Sequence, residues 1–558
     1  MKSSIKIQAL LVEFSTIQEY RALVQQAKDL LVQEPDNAIG HAVLSYAYFA
    51  LKESMQGRLE AERAIELDPH MALGFMARAE DSERPFELRE KDLLQAIALA
   101  PQDSLAHCLL AEVYAEQKRY DEAVEEAQQA IERNPQNAKA FNNLAVAYSR
   151  QRRYEEAIEV YKRAIEINPR YWLAYNNLAG VYHTQKRYDE ALEEIRRAIE
   201  KDPFRALPYT NLGVQYNNLK READAITAHK RALEIDPEDA FAHSNLGYSY
   251  YCLKRYDDAI TEYQRAIEIA PKKALSHTRL ANIYYEQKRY DDALESYRQA
   301  IEAEPFYALA HTHLGLLYHT LKRYDDAITA HKRALEIDPY DAFAHSNLGF
   351  VYSDRKDYEA AVGEGMRALE LDPHNSVLHS NLGNLYNAQK RYSEAIAVCR
   401  RALELNPNNE MAYTDLGVSY RAQQRYDEAI DHLKHALEIN PRNGMAHNVL
   451  GVVYHDRKRE DEAIAEFKHA VEIDPQNAQF HGNLGSAYFR RKRYQEAIVA
   501  YNLALDGDPR NSTAHAGLRN IYEAVDSKSQ GTKALDDGQM GLLKRFFERL
   551  WERLFQRK

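Results

Sequence analysis

The chain has 558 residues and a formal net charge of −12 at neutral pH. This acidic balance argues against a general nucleic-acid binder, because phosphate contacts need a basic face, and it favours protein partners. The three cysteines include no CxxC pair, which is typical of a reducing compartment. No stretch approaches the roughly 18–20 apolar residues of a membrane span, so the expected location is the cytoplasm.

Residues 1–103 are predicted to form degenerate helical pairs that cap the start of a longer array. The interval from Pro69 to Pro101 is shorter than the 34 residues that separate later prolines, and Pro85 lies inside it. Proline ends or kinks a helix, because it lacks the amide that the preceding turn requires. We therefore expect an irregularity at residues 81–88.

Residues 104–511 contain one 34-residue repeat twelve times over. In the copy at residues 138–171, apolar residues recur every three or four positions in two successive stretches, which predicts two short amphipathic helices. Prolines punctuate the copies at an unbroken spacing of 34 residues, at Pro101, Pro135, Pro169, Pro203, Pro237, Pro271, Pro305, Pro339, Pro373, Pro407, Pro441, Pro475 and Pro509. Residues 224–247 and 326–349 differ at one position only, which indicates duplication of a three-repeat block.

The repeat resembles the tetratricopeptide repeat (TPR) in all eight of its motif positions. Those positions are occupied in one copy by Phe141, Leu144, Ala145, Tyr148, Ala157, Tyr161, Ala164 and Pro169. The resemblance implies an all-α fold, a right-handed superhelical solenoid of antiparallel helix pairs. It also implies that first helices line a concave channel while second helices cover the outside. Each repeat then packs mainly on its neighbours.

A row of asparagines stands directly before the motif leucine of many repeats. It comprises Asn143, Asn177, Asn211, Asn245, Asn347, Asn381 and Asn483. An amide side chain both donates and accepts hydrogen bonds, so such a row could bind the backbone of an extended peptide in the channel. The row is similar to the asparagine rows in the TPR channel of the O-linked N-acetylglucosamine transferases. The alternative is that these side chains bridge neighbouring first helices or reflect duplication.

Four repeats depart from this row and could set local specificity: Arg279, His313, Asp415 and Val449 occupy the equivalent place. Lys139, Asn142 and Asn176 are further candidates for the inner face of the channel. The carboxylate clamp of some TPR domains combines Lys, Asn and Arg across adjacent first helices. Here only the fragment of Lys139, Asn143 and Asn177 is present, which does not favour clamp function.

Catalytic motifs are absent from the sequence. We find no phosphate-binding loop, dinucleotide fingerprint, HExxH helix or serine elbow, and the histidines recur at packing positions of the repeat. His432 and His435 are three residues apart on one helix but have no evident third ligand, so we expect no metal and no cofactor. TPR-fused glycosyltransferases carry a large catalytic domain after the repeats, whereas 47 residues follow Asn511 here. The prediction is a non-enzymatic protein.

Three segments follow the repeats. Residues 512–525 are predicted to be a capping helix, residues 526–539 a flexible linker, and residues 540–558 a basic amphipathic helix. The apolar face of the last segment includes Leu543, Phe546, Phe547, Leu550, Trp551 and Leu554. It fits an interface helix or a membrane-surface helix, while packing back onto the same chain and self-association are the alternatives.

The sequence as a whole predicts a scaffold that binds a partner protein or an extended peptide in the channel of the repeats. A membrane-peripheral adaptor anchored by the last segment is one alternative. The other is a targeting subunit of a TPR-associated enzyme such as a glycosyltransferase.

Overall fold

A computed structural model describes residues 16–529 of the chain, and the described residues form α-helices without any strand. The helix bounds are Ile17–Gln33, Ala38–Ala50, Ser54–Leu67, Ala72–Ala79, Phe86–Leu99, Ser104–Glu116, Tyr120–Arg133, Ala138–Arg150, Tyr154–Ile167, Trp172–Thr184, Tyr188–Lys201, Ala206–Asn218, Glu222–Ile235, Ala240–Cys252, Tyr256–Ile269, Ala274–Glu286, Tyr290–Ala303, Ala308–Thr320, Tyr324–Ile337, Ala342–Asp354, Tyr358–Leu371, Ser376–Ala388, Tyr392–Leu405, Glu410–Ala422, Tyr426–Ile439, Gly444–Asp456, Glu460–Ile473, Ala478–Arg490, Tyr494–Gly507 and Ser512–Ser529. The all-α prediction is confirmed.

The chain divides into two compact units, Met1–Pro305 and Phe306–Lys558. We call their described parts, residues 16–305 and 306–529, the N-terminal body and the C-terminal body. Each body is an array of antiparallel helix pairs in which a helix packs on its partner and on the next pair. The predicted helical solenoid is therefore observed, with each repeat supplying one pair.

In several pairs, a small residue on the first helix packs against a ring on the second helix. A Cβ atom added to Gly247 would lie 2.8 Å from the Tyr263 ring, and one added to Gly451 would lie 2.7 Å from the Phe467 ring. Both rings are almost fully buried. Glycine at these two positions therefore allows the two helices to approach this closely.

The corner between the two helices of a repeat is stabilised by the same contacts in most repeats. At one corner, the Arg289 guanidinium lies 4.3 Å from the centre of the Tyr284 ring and Arg289 Nε donates to Asp292 at 2.8 Å. Lys288 before it has φ 60°, in the left-handed region, although it is not glycine. Arg289 thus stabilises the corner, whereas Lys288 holds a backbone conformation that is strained for a residue with a side chain.

The shortened repeat contains the irregularity expected at residues 81–88. Its first helix, Ala72–Ala79, has eight residues, and its second begins after Pro85, at Phe86. The turn between them is stabilised by Asp81, which is buried and accepts a hydrogen bond from Arg58 Nε at 2.6 Å.

The two copies of the duplicated block place histidine where several other repeats place a buried aromatic ring. His229 and His331 are fully buried, and neither ring nitrogen of either residue has a hydrogen-bond partner among the described residues. Burial lowers the pKa of both imidazoles to about 4. Each body therefore contains a core histidine that packs well only when neutral.

Replacing Lys288 by glycine should raise the thermal midpoint, because glycine adopts φ near 60° without the strain that a side chain adds there. We expect a gain of about 0.5–1 kcal/mol in the free energy of unfolding. Lys288→Val is the matched control, since a β-branched residue is less compatible still with this φ, and it should lower the midpoint. Circular dichroism melting of the two variants checks the sign of each effect.

Acid should destabilise both bodies through His229 and His331. The unfolded imidazoles titrate near 6.5 and the folded ones near 4, so stability is lost as the pH falls through this interval. Each histidine contributes up to about 3 kcal/mol of this loss. His229→Phe and His331→Phe, which introduce the ring that Phe467 supplies in its own repeat, should flatten the dependence of the melting midpoint on pH between 7 and 4.5.

The exposed His374 supplies the control for this prediction, and His374→Gln should leave the pH profile unchanged. An unaltered profile in the two phenylalanine variants would mean that other groups control acid stability.

Candidate functional site

The first helices of successive repeats lie side by side, and in the N-terminal body amide side chains connect them. Asn177 Nδ2 donates to Asn142 Oδ1 at 3.1 Å, and Asn211 Nδ2 donates to Asn176 Oδ1 at 2.9 Å. Each bond joins a residue of the predicted row to a residue of the preceding first helix. We call these four asparagines the amide row.

The bonds in the amide row fix which amide atoms remain available. The Nδ2 groups of Asn177 and Asn211 donate to the preceding first helix, so their Oδ1 atoms are the amide atoms that these bonds leave available. No group among the described residues donates to these two oxygens, and both side chains are partly exposed. The row therefore presents fixed hydrogen-bond acceptors at successive repeats.

The remaining predicted positions of the N-terminal body are used differently. Asn143 is 7% exposed and donates to the Cys108 carbonyl of the preceding first helix at 2.9 Å. Asn245 donates to the Phe241 carbonyl of its own helix at 3.0 Å. The Nδ2 groups of these two side chains are bonded to backbone carbonyls, so we expect them to contribute fewer hydrogen bonds to a ligand than the amide row.

Arg279 replaces the asparagine in the next repeat and makes an analogous bridge. Its Nη1 donates to the Ser244 carbonyl at 3.1 Å, and its guanidinium lies 5.1 Å from the centre of the Tyr248 ring. The guanidinium thus reaches the preceding first helix, as the amides do.

Equivalent bonds recur in the C-terminal body, with more departures. Asn381 Nδ2 donates to Ser346 Oγ at 2.9 Å, and Asn483 Nδ2 donates to Asn448 Oδ1 at 2.8 Å. Asn347 is partly exposed and has no hydrogen bond to another described residue. The predicted row therefore includes both bridging and free amides.

His313 and Val449 occupy the same place in two other repeats of this body. Burial lowers the pKa of His313, against a smaller opposing effect of Asp341. Val449 is 8% exposed and belongs to the hydrophobic core. The apolar Val449 side chain therefore does not continue the pattern of amide bridges.

Asp415 is a buried carboxyl group at the row position of its repeat. It is 5% exposed, and Asn384 Nδ2 donates to its Oδ1 at 3.1 Å. Burial raises the pKa of Asp415 to about 7, against smaller opposing effects of Asn384 and Asn387. This carboxyl group therefore changes its charge near neutral pH.

Lys139, a predicted channel residue, is engaged by carboxylates rather than free. Its Nζ lies 3.1 Å from Glu112 and 3.4 Å from Glu80. Burial alone would lower the pKa of Lys139, but the two carboxylates outweigh it and raise the pKa well above its ordinary value. The ammonium stays charged and paired. A clamp for a peptide carboxylate would have to displace these partners.

Contacts between distant repeats close part of the N-terminal body, which sequence reasoning missed. The Ile17 amide donates to Asp202 Oδ2 at 3.1 Å, and Lys52 Nζ donates to Asp236 Oδ2 at 2.7 Å. These partners are 185 and 184 residues apart. Both carboxylates lie in turns between repeats, and no local sequence pattern predicts that they bond to Ile17 and Lys52.

A row of exposed apolar side chains in the C-terminal body was also missed. Each is the second residue of a first helix, and they follow one another every 34 residues. They are Leu309 (43% exposed), Phe343 (51%), Val377 (43%), Met411 (47%) and Met445 (48%), and we call them the apolar row. The 34-residue spacing is visible in the sequence, but apolar residues at helical spacing usually indicate core packing.

The predicted interface or membrane helix at residues 540–558, with Leu543, Phe546, Phe547, Leu550, Trp551 and Leu554, lies outside the described residues. Among the residues that the structure does describe, no helix has the length and apolar character to cross a membrane. Within the same residues, no group of three or more His, Cys, Asp or Glu side chains is arranged to hold a metal ion.

Comparison with protein families identifies the repeat. The model of the cilia and flagella-associated protein 70 C-terminal domain matches residues 238–449. Tetratricopeptide repeat models match residues 90–138, 108–171 and 142–206, and residues 420–487 and 455–521. The chain is a tetratricopeptide repeat protein, as its motif residues indicated. No protein of curated function matches its sequence.

The same fold occurs in a solved structure. The crystal structure of the APC/C hetero-tetramer Cut9–Hcn1 is similar with a TM-score of 0.56 and 14% sequence identity, over 88% of this chain and 97% of that chain. The yeast Tom70 structure gives a TM-score of 0.38 and 15% identity, over 77% of this chain and 99% of that chain. At this identity, the first likeness defines the fold alone.

Replacing Asp415 by asparagine should stabilise the C-terminal body at alkaline pH. The carboxyl group ionises near 3.8 when unfolded and near 7 when folded, so stability falls as the pH rises from about 4 to 7. Asp415→Asn should therefore increase the free energy of unfolding by about 2–4 kcal/mol at pH 8 and much less at pH 4.5. Chemical denaturation at the two pH values measures the difference.

Asp431 is exposed, and Asp431→Asn serves as the control that should show no such difference. Equal effects of Asp415→Asn at both pH values would show that its carboxyl group ionises normally in the folded protein.

Proposed function

We propose that this TPR protein is a non-catalytic scaffold that binds extended segments of partner proteins along the first helices of its N-terminal body. The observation that supports the proposal best is the amide row, in which Asn177 and Asn211 offer oriented Oδ1 acceptors one repeat apart.

The chemistry of such a row suits the peptide backbone. An extended peptide has amide N–H groups at regular intervals, and fixed carbonyl oxygens on a rigid helix layer accept them without the entropy cost of ordering flexible side chains. Asn142 and Asn176 hold the acceptors in place through their own oxygens. Binding of this kind reads the backbone, so affinity would depend weakly on the partner's side chains.

Neighbouring residues would add selectivity. Arg279 carries a positive charge beside the aromatic face of Tyr248, which suits an acidic or aromatic residue of the partner. The Lys139 ammonium is neutralised by two carboxylates and would contribute little. The partner that fits best is therefore an extended segment with an acidic or aromatic residue towards Arg279.

Removing the acceptors tests the proposal. The double variant Asn177→Ala and Asn211→Ala should reduce capture of partner proteins from the native host by about tenfold, because two oriented acceptors are lost. It should also lower stability by about 1 kcal/mol per site, through loss of the bridging donors. Quantitative pull-down and thermal melting are measured on the same preparations.

Asn408, an exposed turn residue, provides the control variant Asn408→Ala, which should change neither quantity. Reduced stability with undiminished capture would show that the amide row is purely structural and would contradict the proposed function.

A further inference from the structure

The apolar row of the C-terminal body is an unpartnered face of regular geometry. Its five residues occupy the same position in five consecutive repeats and are each about half exposed, between 43% and 51%. Exposed apolar surface on a monomeric protein often marks a binding site. Leucine, phenylalanine and methionine side chains adapt well to an apolar partner surface.

The row has a defined end and a charged border. In the next repeat, polar Gln479 takes the equivalent position after Met445. Carboxylates stand in the turns before two members of the row: Asp338 precedes Phe343, and Asp372 precedes Val377. Neither carboxylate is in an ion pair with another described residue. The exposed Arg442 stands in the equivalent turn before Met445. The border of the row therefore suits a basic group beside Phe343 and Val377.

We propose that the occupant of the apolar row is the chain's own segment at residues 541–558. Its sequence places Leu542, Leu543, Phe546, Phe547, Leu550, Trp551, Leu554 and Phe555 at helical spacing and carries six basic side chains against two acidic ones. The segment thus combines the apolar and basic characters that the row and its border would accept.

The lengths agree with this placement. As an α-helix, the stretch from Leu542 to Phe555 measures about 20 Å. Adjacent packed helices are about 8–10 Å apart, so the three row residues Val377, Met411 and Met445 span about 20 Å as well. One short helix laid across three first helices would cover these residues.

The connection is long enough. Met445 lies on the first helix Gly444–Asp456. Two helices in the first-helix place follow it, Ala478–Arg490 and then Ser512–Ser529. Two spacings between adjacent first helices, combined with the length of Ser512–Ser529, place Ser529 about 30–35 Å from Met445. The eleven residues 530–540 span roughly 35–40 Å when extended. Intramolecular docking is therefore sterically accessible, and tethering favours it over binding to another molecule.

Photo-crosslinking in the full-length chain tests this assignment. A benzophenone-bearing phenylalanine analogue is placed at residue 547, the protein is irradiated at low concentration, and crosslinked peptides are identified by mass spectrometry. We expect crosslinks within one chain, to the first helices that carry Val377, Met411 and Met445.

Two variants make the test specific. Met411→Lys combined with Met445→Lys should reduce this crosslink by about tenfold, because charges replace apolar contacts. Met366→Lys changes an equally exposed methionine, 47%, on a second helix and should leave the crosslink intact. Since Met411 and Met445 are half exposed, neither substitution should prevent folding.

Crosslinks between two chains would overturn the assignment in favour of a second copy as the occupant. Crosslinks to surfaces other than the apolar row, or a yield that Met411→Lys and Met445→Lys do not lower, would overturn it altogether. The test is independent of the proposed function, which concerns the amide row of the N-terminal body.

Discussion

The structure depends on the close approach of a small residue on the first helix to a side chain of the partner helix, which is an aromatic ring in several repeats. Where Gly247 meets Tyr263, no Cβ atom could be accommodated, and the ring takes up the space that a side chain would fill. Repeated along the chain, this contact sets the separation of the two helices in successive pairs.

Much of this architecture could be read from the sequence, because the constraints are local and recur. Prolines at a constant spacing and motif residues such as Leu144 and Tyr148 determine where helices begin, end and pack. The contacts between distant repeats could not be read in the same way. Asp202 bonds to the amide of Ile17 across 185 residues, and neither residue belongs to a periodic pattern that links them.

The candidate site was predictable in its positions and only partly in its chemistry. The asparagine row identified residues on neighbouring first helices, but whether an amide binds a ligand depends on which of its atoms are already used. Asn177 retains an oriented acceptor, whereas Asn245 donates to its own helix. Asp415 illustrates the same limit, since a carboxyl group at a row position has a pKa near 7 because of its burial. The apolar row was overlooked for a related reason: periodic apolar residues are usually core residues, and exposure appears only when the packing is known.

The central claim is that the N-terminal body binds a partner segment through its first helices. Hydrogen–deuterium exchange of the full chain, with and without a partner captured from the native host, tests it most directly. We predict that binding slows exchange in Trp172–Thr184 and Ala206–Asn218, the helices that carry the amide acceptors. Slower exchange confined to the second helices Tyr188–Lys201 and Glu222–Ile235, with the first helices unchanged, would contradict the account.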